Sequence, residues 1–253
     1  WLTPPVKTSK FAQINSWIFN MLRACLYLLF FVPWTLFCTI TAMLSTRIDQ
    51  SGRAYHRVAL LWSRFGLLFA GASLDVEGAE LVPRDRPIIF MGNHQSNFDI
   101  MALFQAVPVR FNWLAKEELF RVPFFGTSMK SAGYIPINRG DGRDALRSLD
   151  RAAKLVRAGT SVAIFPEGTR SSDGMLLPFK RGGFILATKA GVTVVPFAIS
   201  GSREVNPANR LFLRPGRIRI RFAPPIDCSG MGTREQENLM EQVRGSISAA
   251  LES

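Results

Sequence analysis

The sequence predicts an α/β fold. Apolar runs of strand length recur from about residue 75 onward, at 87–91, 111–115, 134–138, 160–165 and 193–199. Helical stretches lie between them, one from Asp141 or Gly142 to Ala158 and another over residues 183–190, and a glycine that can end a helix follows each. Buried strands that alternate with helices form a sheet whose sites lie beyond the carboxyl ends of the strands.

Two further elements follow the last of these runs. Residues 217–222 alternate arginine with apolar residues, which places three arginines on one face of a strand, Arg217, Arg219 and Arg221. We expect a solvated edge strand, in preference to a strand that contacts lipid directly. From Gly232 the pattern predicts a final amphipathic helix with a capping box formed by Thr233 and Gln236.

Length and composition bound the kind of protein. A chain of 253 residues with 47% hydrophobic content can bury one sizeable core and carry an appendage. The net charge of +12 implies an anionic partner, nucleic acid or a phospholipid surface, and 20 Phe with 5 Trp favour the membrane. The 3 cysteines lack metal-site spacing and the 2 histidines are too few for a histidine-rich site, so we expect no metal.

The N-terminal segment has the composition of a membrane-associated helical pair. Residues 24–46 carry no charge and are long enough to cross a hydrocarbon core of ~30 Å, although Pro33 would kink such a helix. A second apolar stretch, residues 55–74, carries Arg57 and Arg64 on one helical face, which is typical of a helix lying in the interface. We favour two helices dipped into one leaflet over one spanning helix with an interfacial one, and over a soluble hairpin that caps the domain. The chain then divides into residues 1–74 and 75–253.

A histidine and an aspartate follow the first predicted strand. If a helix begins near Ser96 or Asn97, Asp99 lies in its first turn and its carboxylate can fold back toward His94. A carboxylate on one imidazole nitrogen fixes the tautomer and leaves the other nitrogen free to accept a proton. The alternative is a buried structural histidine beside an acid that the helix dipole favours.

A second constellation follows the strand predicted at residues 160–165. Gly168 allows backbone amides to approach an anion, and Thr169 and Arg170 carry groups suited to phosphate. Glu167 would repel a phosphate, so we expect it to orient arginines or to accept a hydrogen bond from a substrate hydroxyl. The alternative is an ordinary turn with a surface salt bridge.

Further basic residues follow other predicted strands or precede a helix. Arg139 follows residues 134–138, Lys116 follows residues 111–115, and Lys180 lies just before a predicted helix start, itself an anion site. Positive charge at several strand ends on one rim indicates a site for a phosphorylated substrate.

In this order, the motifs Asn93-His94…Asp99, Gly133…Arg139, Phe165-Pro-Glu-Gly-Thr-Arg170 and Val194-Val-Pro196 resemble the four motifs of the glycerolipid acyltransferases. The resemblance covers roughly residues 75–225. It implies a central mixed sheet flanked by helices, an N-terminal two-helix membrane motif, and no metal or organic cofactor. Pro136 departs from the second motif, where an apolar strand residue is more usual, and indicates an edge strand.

The resemblance also assigns roles to residues. His94 and Asp99 match the catalytic pair of the family. Its glycerophosphate-binding positions are matched by Arg139, Glu167, Gly168, Thr169 and Arg170. Lys116 and Lys180 lie where the family commonly places basic residues. No Gly-x-Ser-x-Gly elbow surrounds Ser96, so a covalent serine step is disfavoured.

The implied reaction transfers an acyl chain from acyl-CoA or acyl-ACP to the sn-2 hydroxyl of 1-acyl-sn-glycerol-3-phosphate, giving phosphatidic acid for phospholipid synthesis. The implied partners are lysophosphatidic acid, the acyl thioester, acyl carrier protein and the membrane surface, at the cytoplasmic face of a bacterial inner membrane through residues 17–74. One alternative acylates glycerol-3-phosphate or another lysophospholipid. Another is a non-catalytic protein that binds anionic lipid. A nucleic-acid-binding protein would leave the apolar N-terminal segment unexplained.

Overall fold

The structure, a computed structural model, describes residues 10–137 and 142–252, with side chains from residue 17 onward. In this part of the chain the strands are β1 Ala72–Glu77, β2 Ile88–Gly92, β3 Asn112–Lys116, β4 Ile135–Ile137, β5 Val162–Ile164, β6 Thr193–Ser200 and β7 Gly216–Phe222. The helices are α1 Lys10–Ile48, α2 Arg53–Ala70, α3 Phe98–Ala106, α4 Phe125–Ser131, α5 Gly142–Arg157, α6 Gly182–Ala190, α7 Ser202–Val205 and α8 Gln236–Glu252. Short 3-10 turns occupy Ala79–Leu81, Glu117–Arg121 and Thr233–Glu235.

The strands form one mixed sheet in the order β1-β7-β6-β2-β5-β3-β4. Neighbouring strands are parallel except β6 and β7, which are antiparallel. β2 lies in the centre and all five of its residues are buried, as expected for a parallel strand covered on both faces. The predicted α/β class with a central mixed sheet is confirmed.

Two hydrophobic clusters form the core, one on each face of the sheet. Alternate residues of β2 enter different clusters, because successive side chains of a strand point to opposite faces. Ile88 and Phe90 pack with residues of α1, α2 and α3. Ile89 and Met91 pack on the other face with residues of α5, α6 and α8. The strand that leads to His94 is therefore fixed from both sides.

Each of the five predicted apolar runs contains a strand, with ends that differ by one or two residues. The run at 134–138 is the short strand β4, and its last residue lies outside the described part of the chain. β4 is an edge strand that pairs with β3, with Ala115 opposite Pro136. Because a proline cannot donate to a second neighbour, the prediction of an edge position from Pro136 is confirmed.

The predicted solvated edge position of residues 217–222 is wrong. β7 lies between β6 and the outer strand β1, whose first three residues fall within the apolar stretch 55–74 that the sequence predicts to be helical. In fact Gly71 adopts a φ of 66° and ends α2, and the strand begins one residue later. Acidic residues on β1 then pair with the arginines of β7.

These pairs form a charged ladder on one side of β1 and β7. Arg217 Nη1 lies 3.4 Å from Asp75 Oδ2, and Arg221 Nε lies 2.7 Å from Glu77 Oε2. Arg219 also reaches Glu77, at 3.3 Å. The alternating arginines therefore serve strand pairing, which explains them without lipid contact.

The final helix forms as predicted, but its cap lies one residue earlier. The backbone N–H of Gly232 donates to Glu235 Oε2 at 2.8 Å, so these two residues take the places predicted for Thr233 and Gln236. The buried stripe of α8 contains Leu239, Val243 and Ile247, all fully buried on the sheet face opposite α1 and α2.

α1 is one continuous helix through Pro33 and packs against α2. Its stretch Trp17–Ile48 is long and apolar enough to cross a membrane, and most of that stretch is exposed. Exposed apolar side chains run along its length, including Trp17, Phe19, Leu22, Leu29, Phe30, Leu36 and Phe37. An N-terminal apolar helix is therefore present, as predicted.

Gly66 sets how closely the helical pair approaches the α/β domain. A Cβ atom at this position would lie 2.4 Å from Met101 Sδ on α3 and 2.8 Å from Phe31 on α1. Real side chains do not tolerate such distances, so α1, α2 and α3 meet at this glycine. Trp62 Nε1, which donates to Thr35 Oγ1 at 3.0 Å, adds a polar link between α1 and α2.

We expect Gly66→Ala to destabilise the protein by about 1–3 kcal/mol, because the added methyl overpacks this contact. Gly245→Ala is the matched control, since Gly245 also lies in a helix and a Cβ there would meet nothing within 4 Å. That change should stabilise by about 0.5–1 kcal/mol through helix propensity. Thermal unfolding of the two detergent-solubilised variants measures both effects. Equal stabilisation by both would contradict the close approach.

Candidate functional site

His94 and Asp99 meet beyond the carboxyl end of β2. His94 Nδ1 lies 2.7 Å from Asp99 Oδ2, and the Asp99 side chain is fully buried. α3 begins at Phe98, so Asp99 lies in its first turn. The geometry matches the arrangement that the sequence predicts, although Asn97, at the N-cap position, makes no side-chain cap. Ser96 supplies the nearest substitute, because its Oγ accepts the Phe98 N–H at 3.2 Å.

A single oxygen of Asp99 holds this arrangement. Oδ2 also accepts the backbone N–H groups of Gln95 at 2.6 Å and Ser96 at 2.8 Å. Three donors on one oxygen fix the carboxylate against the imidazole. A neutral imidazole that donates from Nδ1 carries its lone pair on Nε2, so Nε2 is the nitrogen able to accept a proton.

The imidazole of His94 is also fixed by stacking. Its ring lies parallel to the Phe165 ring, with centroids 4.0 Å apart and 4° between the planes. Phe165 in turn stacks on Trp113 at 5.4 Å. The backbone carbonyl of His94 accepts the Ser171 N–H at 2.7 Å, so the ring and the main chain are held separately.

Glu167 braces the loop that carries His94. Its side chain is 2% exposed, Oε1 accepts the His94 N–H at 2.8 Å, and Oε2 accepts the Leu177 N–H at 3.1 Å. Burial raises the pKa of this carboxyl, and the two backbone hydrogen bonds oppose that effect. Both oxygens thus accept hydrogen bonds from backbone amides, whereas the sequence predicts that Glu167 orients arginines or accepts a hydrogen bond from a substrate hydroxyl.

Asn93 makes a second link between loops. Its Nδ2 donates to the Ile199 carbonyl at 2.8 Å, and its Oδ1 accepts the Ile199 N–H at 2.7 Å. The side chain therefore ties the end of β2 to the end of β6. This gives the first residue of the motif a structural explanation that the sequence alone did not provide.

The turn after β5 brings cationic and small residues to the same place. Gly168 has a φ of 71°, a conformation that favours glycine, and its N–H donates to Phe165 O at 3.0 Å. Gly168, Thr169 and Arg170 border the same cavity as His94. Residues of this turn and His94 therefore lie on one rim, where the sequence predicts that positive charge gathers.

Two asparagines orient Arg170. Its Nη1 donates to Asn97 Oδ1 at 2.7 Å and its Nη2 donates to Asn209 Oδ1 at 3.0 Å. Both acceptors are neutral, so these contacts leave the positive charge of the half-buried Arg170 side chain uncompensated. The expected alternative of a surface salt bridge at this turn does not describe these contacts. Asn209 lies in a loop without a motif, which is why sequence reasoning missed it.

The cavity beside His94 has a volume of about 540 Å³ and mostly apolar walls. The walls come from α1, α2, α3, β3 and α4 and include Cys38, Ala42, Val58, Trp62, Ile100, Phe104, Leu114 and Met129. Its polar lining includes Tyr55, whose hydroxyl lies 3.1 Å from Ser128 Oγ. An apolar chain with a polar end next to His94 and Arg170 fits such a shape.

The three other basic residues predicted for the site differ in where they lie relative to the cavity. Lys116 borders the cavity, and its Nζ lies 3.0 Å from Glu118 Oε1. Lys180 is exposed and is not among the residues that line the cavity in the described structure, although its backbone N–H donates to Pro166 O at 2.8 Å. Arg139 lies outside the described residues.

A family comparison identifies the class of protein that carries this fold and site. The sequence model of a family described as Acyltransferase matches residues 73–200, which is half of the chain. The mouse 1-acyl-sn-glycerol-3-phosphate acyltransferase alpha is 33% identical over 224 residues, with 86% of this chain and 77% of that protein covered. The chain belongs to the acyltransferase family.

Bacterial and plant proteins also match this chain. The 1-acyl-sn-glycerol-3-phosphate acyltransferase of Borreliella burgdorferi is 32% identical, over 75% of this chain and 76% of that protein. The chloroplastic BAT2 of Brassica napus, which bears the same enzyme name, is 36% identical over 70% of this chain. The chain spans about half the length of BAT2 and of the chloroplastic LPAT1 of Arabidopsis thaliana. The crystal structure of the LPA acyltransferase PlsC from Thermotoga maritima matches with a TM-score of 0.78 and 27% identity, covering 93% of this chain and 95% of that one.

The buried carboxyl of Glu167 should give the stability a specific pH dependence. Its raised pKa means that its contribution to stability is fully present below its unfolded value of about 4.3 and is lost as pH rises through the folded value. The Glu167→Gln variant has no titrating carboxyl at this position. The difference in the free energy of unfolding between wild type and variant should therefore decrease as pH rises above about 4.3. Urea unfolding of both proteins across this pH range measures the difference. If this difference in unfolding free energy instead increases with pH, the site favours the ionised form of Glu167.

Proposed function

We propose that this protein transfers an acyl chain from an acyl thioester to the sn-2 hydroxyl of 1-acyl-sn-glycerol-3-phosphate, giving phosphatidic acid. The observation that carries the proposal is the His94–Asp99 hydrogen bond at the polar end of an apolar cavity, beside Arg170. The names of the relatives support this acceptor, since each is called a 1-acyl-sn-glycerol-3-phosphate acyltransferase.

In the proposed reaction His94 acts as a general base. Nε2 takes the proton of the acceptor hydroxyl while that oxygen attacks the thioester carbonyl, and Asp99 stabilises the imidazolium through Nδ1–H. The tetrahedral intermediate then collapses, the carbon–sulfur bond breaks, and His94 returns the proton to the leaving thiolate. The substrate supplies the nucleophilic oxygen, so the reaction requires no acyl-enzyme. We also propose that no metal or organic cofactor takes part.

The phosphate of the acceptor is proposed to bind at the turn that contains Gly168, Thr169 and Arg170. The guanidinium of Arg170 can hold two phosphate oxygens, and its charge is not compensated by the asparagines that orient it. Lys116 and Arg139 would add charge to the same rim, with Lys180 further out. Because the turn lines the same cavity as His94, phosphate binding there would hold the hydroxyl in position for attack.

The N-terminal helices are proposed to hold the protein on a membrane. α1 exposes apolar side chains along its length, and α2 presents Arg57 and Arg64 on its exposed side. A charged, amphipathic α2 fits the interface better than the hydrocarbon core. We propose attachment through residues of about 17–74 at the cytoplasmic face of a bacterial inner membrane, with acyl-CoA or acyl carrier protein delivering the donor from the aqueous side.

His94→Ala should lower kcat by on the order of 10²–10⁴-fold while changing acceptor binding little, because the general base is lost and the phosphate contacts remain. Thiol release from acyl-CoA, with and without lysophosphatidic acid, measures this rate and tests the proposed acceptor. Glycerol-3-phosphate and lysophospholipids with larger head groups are run in parallel.

The matched control is His56→Ala. His56 lies on α2 and packs against Phe104 and Phe111. It is not among the cavity-lining residues of the described structure. It should keep turnover within a few-fold of wild type. Near-normal turnover in His94→Ala would remove the general-base role, and thiol release that does not depend on lysophosphatidic acid would refute the proposed acceptor.

Asn209→Gly should raise KM for lysophosphatidic acid by roughly 2–10-fold and leave kcat unchanged, because Arg170 loses one of its two orienting hydrogen bonds, worth about 0.5–1.5 kcal/mol, while glycine accepts the φ of 59° at this position. Steady-state kinetics measure the two constants separately. Asn238→Ala on α8 is the control, since its side chain bonds only Gln242 among the contacts described for it. An equal effect of Asn209→Gly on a monoacylglycerol, which has no phosphate, would show that the loop acts on something other than phosphate binding.

A further inference from the structure

A second exposed apolar region, separate in sequence from α1, lies on the turn between β3 and α4 and on the first residue of α4. Four large apolar side chains are exposed there, and we call them the apolar tip: Leu119, Val122, Phe124 and Phe125. Phe124 is 64% exposed, as much as Phe30 on α1, which is 63% exposed. Exposing a cluster of large apolar side chains to water is unfavourable, and such patches on a protein surface mark interaction sites.

The turn is built so that these side chains face outward. Phe120, within the same turn, is buried in the protein. Gly126 packs against the Phe120 backbone so closely that a Cβ atom would lie 2.2 Å from the Phe120 carbonyl oxygen. The Gly126 N–H also donates to Val122 O at 2.8 Å. The buried side of the turn is thus anchored, and the apolar tip is held away from it.

The backbone of Phe124 is strained. Its φ is 60°, and the other non-glycine residue with positive φ in the described part of the chain is Asn209. Asparagine tolerates such a conformation, whereas a bulky aromatic residue is an outlier. Because the Phe124 side chain is mostly exposed, its burial within the protein does little to offset this backbone strain, whereas burial in an apolar partner outside the protein would.

The surroundings of the tip connect it to α1 and to the cavity. α4 packs against α1, and Tyr55 of α2 contacts Ser128 of α4. Leu119 and Phe125 are both exposed and cavity-lining, so the cavity meets the protein surface at the tip. Along α1, residues that line the cavity alternate with exposed apolar residues. The first set is Thr35, Cys38, Thr39 and Ala42, and the second is Leu36, Phe37, Ile40 and Leu44.

Charged residues border the tip. Lys116 pairs with Glu118 and Arg121 pairs with Glu117 at 3.5 Å, and Lys130 follows on α4. Basic residues beside exposed aromatic and branched apolar ones are typical of segments that enter the headgroup region and place their apolar side chains among acyl chains.

We infer that the apolar tip is a second membrane-inserting element, whose partner is the hydrocarbon of an anionic phospholipid bilayer. The tip and α1 then enter the bilayer on two sides of the cavity opening. A lysophospholipid could pass from the bilayer into the cavity without its acyl chain crossing water. This inference rests on the proposed membrane attachment through α1.

Site-specific fluorescence tests the inference. A background variant replaces the native cysteines (Cys25→Ser, Cys38→Ala and Cys228→Ala), and single cysteines introduced by Phe124→Cys, Phe30→Cys or Asn238→Cys carry an environment-sensitive NBD label. The proteins are reconstituted with vesicles of phosphatidylglycerol and phosphatidylethanolamine, with or without doxyl-labelled acyl chains. We expect blue-shifted emission and doxyl quenching at positions 124 and 30. Position 238, on α8 at the opposite face of the sheet, should show neither.

Three other outcomes would contradict the inference or its basis. Quenching at 30 without quenching at 124 would overturn the inference and leave the membrane attachment of α1 intact. No quenching at either position would refute the attachment itself. Disulfide cross-linking between the position-124 cysteines of two molecules on vesicles, without doxyl quenching, would identify a second copy as the partner and overturn the inference.

A substitution separates membrane insertion from a structural role. Phe124→Gly relieves the strained φ, so its melting temperature should rise, while its binding to the same vesicles should fall by roughly tenfold. Activity should fall on long-chain lysophosphatidic acid in vesicles and stay unchanged on a short-chain, fully dispersed acceptor. Met175→Ala, which changes an apolar residue that is 70% exposed in the loop after β5, is the control and should change none of these. A lower melting temperature with equal losses on both acceptors would show that Phe124 only supports the fold.

Discussion

The pairing of His94 with Asp99 depends on one buried carboxylate oxygen that accepts three N–H groups. Two of these donors are backbone amides just before α3, so the carboxylate closes the start of the helix and orients the imidazole at once. A helix start favours negative charge, which makes this a stable place for an aspartate. The structural and the chemical readings of Asp99 are therefore not alternatives, because the same contacts satisfy both.

Buried polar side chains outside the pair hold the surrounding loops in place through hydrogen bonds to backbone groups. Glu167 joins the backbone of His94 to that of Leu177, and Asn93 joins the end of β2 to the end of β6. In a low-dielectric interior such bonds are strong when made and costly when lost, so these loops behave as one unit. Around Arg170 the acceptors are neutral asparagines instead. The division is physically reasonable, since a carboxylate there would compete with an anionic substrate.

The sequence predicts the central strands and the His94–Asp99 geometry, because both depend on short-range patterns: apolar runs between turn residues and a helix that begins a few residues after a strand. It does not predict β1, whose alternation is weak and whose acidic residues make sense only opposite the arginines of β7. It also misses Asn209 and the strained conformation of Phe124, since both are defined by contacts or dihedral angles that no local pattern encodes. Arg139 lies outside the described residues, so its expected role stays a prediction.

The place of β1 in the sheet limits how the protein can be shortened. The strand starts one residue after the glycine that ends α2, and it lies along β7 for its whole length. A fragment that begins inside or after this strand would lose the acidic partners of the β7 arginines and leave a row of main-chain groups without a neighbour, which invites intermolecular pairing. A soluble fragment intended for crystallisation would therefore have to start upstream of Ala72.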